Sequence, residues 1–338
     1  MPAPEPPPFM LTSAILSLVA DIAAEVGRLG PLTAAGNIPM LRRGNRIRSI
    51  HASLAIENNT LDLSQVTAVI EGKRVLGPPR EIQEVKNAFA AYEAMPEWNP
   101  ASVKDLFAAH RLMLHGLLVS PGKFRTRAVG VAKGNQVVHL APPASRVPEL
   151  VKNLLAWLKR TDTHPLVSSA VVHYELEFIH PFADGNGRLG RLWQTLILSR
   201  WQPLFAWLPV ETVIRERQAD YYRVLAASDK AGQSTAFIEF TLAALLTALR
   251  DSGNTAASEQ VGAPVSEQVA RILRACASGP MSKTALLQAA GLANAYLNYK
   301  RHIVPLLDAG LLEPTLPDKP NSRLQQYRLT AKARAFLR

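Results

Sequence analysis

The sequence predicts a mainly α-helical protein: a helical domain carrying one small β-hairpin, then a smaller module of helices and strands. Three observations predict it. Stretches such as "EIQEVKNAFAAYEAM", "SVKDLFAAHRLMLHGLL", "VPELVKNLLAWLKR" and "FIEFTLAALLTALR" repeat apolar residues at spacings of three and four, as helices with one buried stripe do. One interruption, "VGVAKGNQVVHL", sets β-branched runs on either side of Gly134-Asn135, a dipeptide suited to a tight hairpin turn. Beyond residue 264 both the periodicity and the charge change.

Taken in order, "MPAPEPPP" has no period, and residues 1–8 are expected to be a disordered tail. The apolar run inside "FMLTSAILSLVADIAAEVGRLG" is only about a dozen residues, too short to span a bilayer. Only Glu5 is charged ahead of it, which argues against a signal peptide. Helices then fill 9–105 and 106–250. "DSGNTAASEQVGAP", residues 251–264, is small, polar and aperiodic, and reads as a linker. Past it, "VSEQVARILRACA", "SKTALLQAAGL" and "NAYLNYKRHIVPLLDAG" read as three helices. "LLEPTLPDKPNSRLQQYRLT" follows as two strands around a proline-rich turn, and "AKARAFL" as a last helix.

The net charge of +11 is uneven. Residues 265–338 hold eleven Lys and Arg against four Asp and Glu, while the rest of the chain is close to balanced. That asymmetry points to a polyanion partner for the tail, with a solubilising basic domain as the plainer alternative. Three helices and two strands in this order resemble a winged helix-turn-helix module, "QYRLT" being similar to its second wing strand. The resemblance implies DNA contacts from Asn298, Lys300 and Arg301 on the third helix and Arg323 on the wing. Such modules also serve as protein docking or homodimer units, and that alternative stays open. Cys276 is the lone cysteine, so no internal disulfide can form, and a reducing, cytoplasmic compartment is expected.

Most of the chemistry sits in "HPFADGNGRLGR", residues 180–191. Gly185-x-Gly187-x-x-Gly190 matches a dinucleotide fingerprint, but no strand–helix alternation follows, so that reading is rejected. Pro181 biases His180 away from helical dihedrals, so a helix should end near Phe178. The next should start around Gly187, because Leu189, Leu192, Trp193, Leu196 and Ile197 form one stripe with Arg188 and Arg191 on another side. A loop feeding a helix N-terminus offers free amides and a dipole to an anion. Gly185 and Gly187 let a phosphate approach the backbone, and the arginines offer forks for the outer phosphates. Asp184 is a hard oxygen ligand for magnesium, and His180 a base poised near neutral pH. His173, Glu177 and His180 do not read as a metal trio, since the helix ends before His180.

"HPFADGNGRLGR" resembles the complete signature of the Fic family, and "HYELEFIHPF" and "PGKFRTRAVGV" are similar to the family's core. The resemblance spans roughly residues 50–230. It implies transfer of AMP from ATP to a Ser, Thr or Tyr hydroxyl on a target protein, by a catalytic core over 106–250. It makes His180 the base, Asp184 the Mg2+ ligand, Asn186 with the loop amides (Gly185, Gly187) the holder of the α-phosphate, and Arg188 and Arg191 the holders of the β- and γ-phosphates. The hairpin at 129–140 resembles the family's flap, which registers the target chain by strand-like pairing. Tyr221 and Tyr222 lie where the family often lines its nucleobase pocket, although their helical stripe also suits core packing.

"SLAIEN" holds Ser53 and Glu57 one helical turn apart, with Asn58 suited to a helix end. Beside a Fic core it resembles the family's inhibitory segment, placed N-terminally within 9–105. The implied mechanism pairs Glu57 with Arg191 and occupies the place of the γ-phosphate. Two other readings remain open: a DNA-binding regulator whose core only senses nucleotide, and removal of AMP or transfer of another phosphate-containing group by the same core.

Overall fold

The computed structural model describes all residues except 1–5, 35–38, 134–135, 263–266, 296–297, 309, 317–321, 323, 331–332 and 335–338. The chain divides into two compact units, Met1–Gly253 and Asn254–Arg338. In the first, the order is α1 (Ser13–Ala34), α2 (Pro39–Ile56), α3 (Leu63–Ile70), α4 (Pro79–Ala94), α5 (Val103–Met113), β1 (Gly130–Lys133), β2 (Gln136–Leu140), α6 (Val147–Arg160), α7 (Pro165–Ile179), α8 (Asn186–Trp201), α9 (Val210–Glu216), α10 (Gln218–Ala231) and then α11 (Thr235–Gly262), which begins in this unit and runs past the division.

Local signals set several of these boundaries. Asp62 caps α3 in a capping box: its carboxylate accepts from Gln65 N–H at 2.8 Å, and Gln65 Oε1 accepts from Asp62 N–H at 3.0 Å. Ser102 caps α5 in the same manner, accepting from Asp105 N–H at 3.2 Å. The segment "VVHYELEFI" lies within the helix α7. Because α7 is apolar nearly all round, it is buried on nearly every side, with α8 packed against it. The β1–β2 pair is antiparallel with a bulge between Val131 and Ala132, as the hairpin reading expects; its turn residues, 134–135, lie outside the described residues.

One expectation needs correction. The tail reading of 1–8 fails at its end: Pro8 C=O accepts from Ser234 N–H at 3.0 Å, and beyond it Met10 N–H and Thr12 Oγ1 donate to Thr235 and Glu239. The strap along the start of α11 is pinned by side-chain and backbone partners 225 or more residues away, which composition cannot reveal. The segment 251–264, read as a linker, contains the division between the two units and is helix as far as Gly262. Its Ala, Glu and Gln residues suit a helix even without an apolar stripe.

The second unit holds α12 (Glu267–Ala275), β3 (Met281–Ser282), α13 (Lys283–Ala289), a wide π turn over Tyr299–Ile303, α14 (Val304–Asp308), β4 (Leu312–Pro314) and β5 (Gln326–Leu329). The single third helix expected here is interrupted. Pro305 has no N–H for the carbonyl four residues back, and the backbone widens into a π turn just before it. A third strand, unread in the sequence because two residues carry no alternation, completes an antiparallel sheet of order β3-β5-β4. Ile272, Leu286, Leu287, Ile303, Leu312 and Tyr327 form this unit's own core. Cys276 is buried there, and burial pushes its thiol up to about 11, so it is held as an unreactive thiol.

Candidate functional site

The site forms where α7 gives way to α8. His180 caps α7 in the left-handed region, with φ 49° and ψ 60°. For a residue with a Cβ this conformation costs on the order of 1–2 kcal/mol, so the surroundings must hold it. Pro181 makes the turn obligatory by disfavouring further helix. The loop is then fastened from inside. Phe182 is fully buried and stacks on His110, ring centroids 3.8 Å apart at 10°. Phe107 meets it edge-on.

Asn186 closes the loop on itself. Its Oδ1 accepts from Phe182 N–H and its Nδ2 donates to Phe182 C=O, both at 2.9 Å. The side-chain amide thus staples the loop, and the Asn186 backbone N–H lies at the start of α8. His110 fastens the other end. Gly122 N–H donates to its Nδ1 at 2.7 Å, so the proton sits on Nε2, which donates to Asp184 C=O at 3.0 Å. Burial keeps that imidazole neutral by lowering its pKa.

With the loop nailed down from within, the first-turn amides of α8 at Asn186, Gly187 and Arg188 are left without helical carbonyls. Gly185 enters that turn at φ 83°, and a Cβ there would lie 2.5 Å from Leu114. A Cβ at Gly187 would meet Glu57 Oε1, so the Glu57 side chain lies against this glycine, while Gly185 is required by its left-handed turn.

Both arginines of the motif are buried on α8 and already engaged. Arg188 donates to Glu84 Oε1 at 3.2 Å and to Asp184 Oδ1 at 3.4 Å, and Arg80 reaches Asp184 Oδ2 at 3.2 Å. Arg188 Nε is buried without a hydrogen-bond partner. Arg191 donates to Ser53 Oγ and Ser53 C=O, each at 3.0 Å, and to Glu57 Oε1 at 2.8 Å. Burial opposes its charge, but the Glu57 carboxylate more than offsets this and holds the guanidinium protonated. Asn58 turns the chain out of α2 at φ 68°. Asn59 then donates to Glu84 at 2.9 Å, and Thr60 N–H and Oγ1 donate to Glu81 at 2.6 and 2.9 Å. Ser53 and Glu57 thus meet Arg191 together, and Asn58 makes the turn that follows them. Arg80, Glu81 and Glu84 on α4 were missed in the sequence; the Arg80/Glu84 spacing of one helical turn was their only signal.

The paired tyrosines meet edge-on, ring centroids 5.3 Å apart, and differ in exposure. Tyr221 is 1% exposed, its hydroxyl at His173 Nε2 (3.2 Å) and Glu177 Oε1 (3.4 Å), as the core-packing alternative describes. Tyr222 is 46% exposed and donates to Ile56 C=O at 3.4 Å, beside the end of α2. In the second unit Asn298 is half-buried and donates to Ala293 C=O at 2.9 Å. Lys300 and Arg301 lie on the π turn, and Arg323 lies outside the described residues.

His173, fully buried beneath the loop, carries a pH consequence. Burial first and the Arg191 charge second lower its pKa to about 3. The unfolded chain takes up this proton below about 6.5 and the folded chain does not. Stability from this group is therefore complete above about 6.5 and falls by about 1.4 kcal/mol per pH unit as pH drops toward 3. Urea unfolding between pH 6 and 4 should show a slope shallower by that amount in His173→Gln. Parallel slopes would rule out a buried neutral imidazole.

A left-handed histidine, an amide-lined helix start, an acid and two buried arginines, packed in this order on an all-helical core, define a Fic-type fold. The chain belongs to the Fic family: residues 100–198 match the Fic/DOC family, and residues 267–330 match the C-terminal domain of the Fic-like protein "filamentation induced by cAMP". A Fic family protein of Desulfovibrio desulfuricans G20 is 53% identical, with a TM-score of 0.74, covering 97% of this chain and 99% of that one. The protein adenylyltransferase fic-1 of Caenorhabditis briggsae is 32% identical over 226 residues, which is 62% of this chain and 41% of the relative. The protein adenylyltransferase Fic of Nematostella vectensis is 30% identical over 220 residues, 61% of this chain and 49% of the relative. The chain thus spans less than half the length of these two curated relatives. Among the described residues, no helix is long and apolar enough to cross a membrane.

Proposed function

We propose that this protein is an adenylyltransferase that moves AMP from ATP to a hydroxyl side chain of a target protein, and that Glu57 holds it inhibited. Residues 106–250 act as the catalytic core and 9–105 carry the inhibitory helix. The observation that carries this reading is the Glu57–Arg191 contact at 2.8 Å, made at the amide-lined start of α8. An anion site has its own carboxylate seated in it.

In the reaction, His180 takes the proton of the target hydroxyl as its oxygen attacks the α-phosphorus. The bond between that phosphorus and the bridging oxygen breaks, and pyrophosphate leaves. The chain's part is positioning and charge stabilisation. First-turn amides of α8 face the α-phosphate, and Arg188 and Arg191 receive the outer phosphates once Glu84, Asp184 and Glu57 release them. Magnesium fits the donor set: Asp184 is a partly exposed hard-oxygen ligand, and this ion habitually takes one carboxylate and shares the substrate's phosphates. Bound there, it would neutralise charge on the phosphates. The β1–β2 hairpin offers a strand edge to the target, and Tyr222 an exposed ring to the base.

Incubation with magnesium and ATP labelled on either the α- or the γ-phosphate tests the reaction class. Adenylyl transfer labels protein from the α-label only. Label from the γ-position would mean phosphate transfer instead.

For residues 265–338 we infer a winged helix-turn-helix module that binds DNA, supported by the order of its helices and strands and by its basic excess. Counterion release then makes affinity fall steeply with salt. A fluorescence titration of the full chain with duplex DNA should lose affinity by orders of magnitude between low and physiological salt. No binding at low salt would leave a protein-docking module.

A further inference from the structure

Arg125 lies in the loop ahead of β1 and is buried, yet its described partners are all backbone carbonyls. Its backbone N–H donates to Pro181 C=O at 2.9 Å. Its Nε donates to His180 C=O at 2.7 Å, and Nη2 to Ile179 C=O at 3.2 Å. Three successive carbonyls across the left-handed residue therefore accept from one residue. The remaining contacts run the other way, from Nη2 to Pro142 C=O at 2.6 Å and from Nη1 to Arg127 C=O at 2.9 Å. Arg127 and Pro142 stand at the two feet of the β1–β2 hairpin.

We propose that Arg125 is a positioning residue for the transfer reaction: it locks the His180 turn and fixes its distance from the feet of the hairpin. The proposal rests on the adenylyl-transfer reading, in which His180 is the base and the hairpin registers the target. Carbonyls at the end of α7 lack helical donors, and a cation placed there is favoured by the helix dipole. The guanidinium is a rigid planar fork, so carbonyls held by its different nitrogens cannot shift independently. A lysine ammonium is a point donor and cannot bridge both sets. The phosphate cradle has separate fastenings, Asn186 to Phe182 and His110 to Asp184, and does not depend on Arg125.

The consequence is a split between binding and turnover. In a Glu57→Gly parent, Arg125→Lys and Arg125→Gln should keep ATP affinity while the labelling rate falls about 10²-fold, the usual cost of misplacing reacting groups by about 1 Å. The His180 ring resonance, identified by its loss in His180→Ala, should shift in both variants across a pH titration. Labelling at the parent's rate with that resonance in place overturns the proposal. Unfolding of both variants also overturns it, by assigning Arg125 to stability alone. If the parent itself fails to label, the adenylyl-transfer reading falls, and the resonance still decides: a shift supports positioning, and an unmoved resonance refutes it.

Discussion

Replacing His180 with alanine is expected to lower adenylyl transfer about 10²–10⁴-fold, the usual contribution of a positioned general base, with ATP affinity unchanged. The separation follows from the site's construction. His180 contributes its imidazole to the hydroxyl proton, whereas the phosphate cradle begins at Gly185 and is fastened through Phe182, Asn186 and His110. Removing the ring leaves the Arg125 contacts to residues 179–181 in place, because they are made to backbone carbonyls. Label incorporation by His180→Ala at the parent's rate, with the same ATP affinity, would sink the base assignment. A loss of ATP affinity equal to the loss of rate would instead make His180 part of the nucleotide site.

Glu57→Gly should raise self- or target-labelling well above wild type. The wild-type carboxylate sits against Gly187 at the start of α8 and takes up Arg191, so it competes for the place and the charge partner of the γ-phosphate at once. Arg191→Ala should not mimic it, since the guanidinium is required for productive binding as well as for the brake. The double variant should therefore stay poor, which separates release of inhibition from general loosening. Buried Arg191 keeps the Ser53 hydroxyl and carbonyl in Glu57→Gly, so the fold should tolerate the change. High labelling by the double variant would remove Arg191 from the mechanism.

Much of this site was legible in the sequence because it is local. Pro181 marks the break between α7 and α8, the apolar stripe of α8 sets its phase, and the glycines announce an anion-sized gap. The Ser53/Glu57 spacing became informative only beside the loop it faces. The parts that were not legible arise from contacts that sequence spacing does not encode. Asn186 turns back on Phe182 because a left-handed turn at Gly185 brings them together. Arg80 and Glu84 reach Asp184 and Arg188 from 104 residues upstream, through the packing of α4. Tyr221 is buried and Tyr222 exposed because neighbours on a helix point about 100° apart. In the second unit, a two-residue strand and a proline-induced π turn lie below the reach of periodicity.

Calorimetric titration of wild type and Glu57→Gly with ATP and with AMP isolates the contest for Arg191. A charge-assisted contact to the γ-phosphate is worth about 1.5–3 kcal/mol, so ATP should bind roughly 10–100-fold more tightly to Glu57→Gly. AMP lacks that phosphate, and its affinity should stay the same in both proteins. ATP binding equally to the two, or ATP and AMP tightening together, would contradict a brake that works by denying the γ-phosphate its arginine.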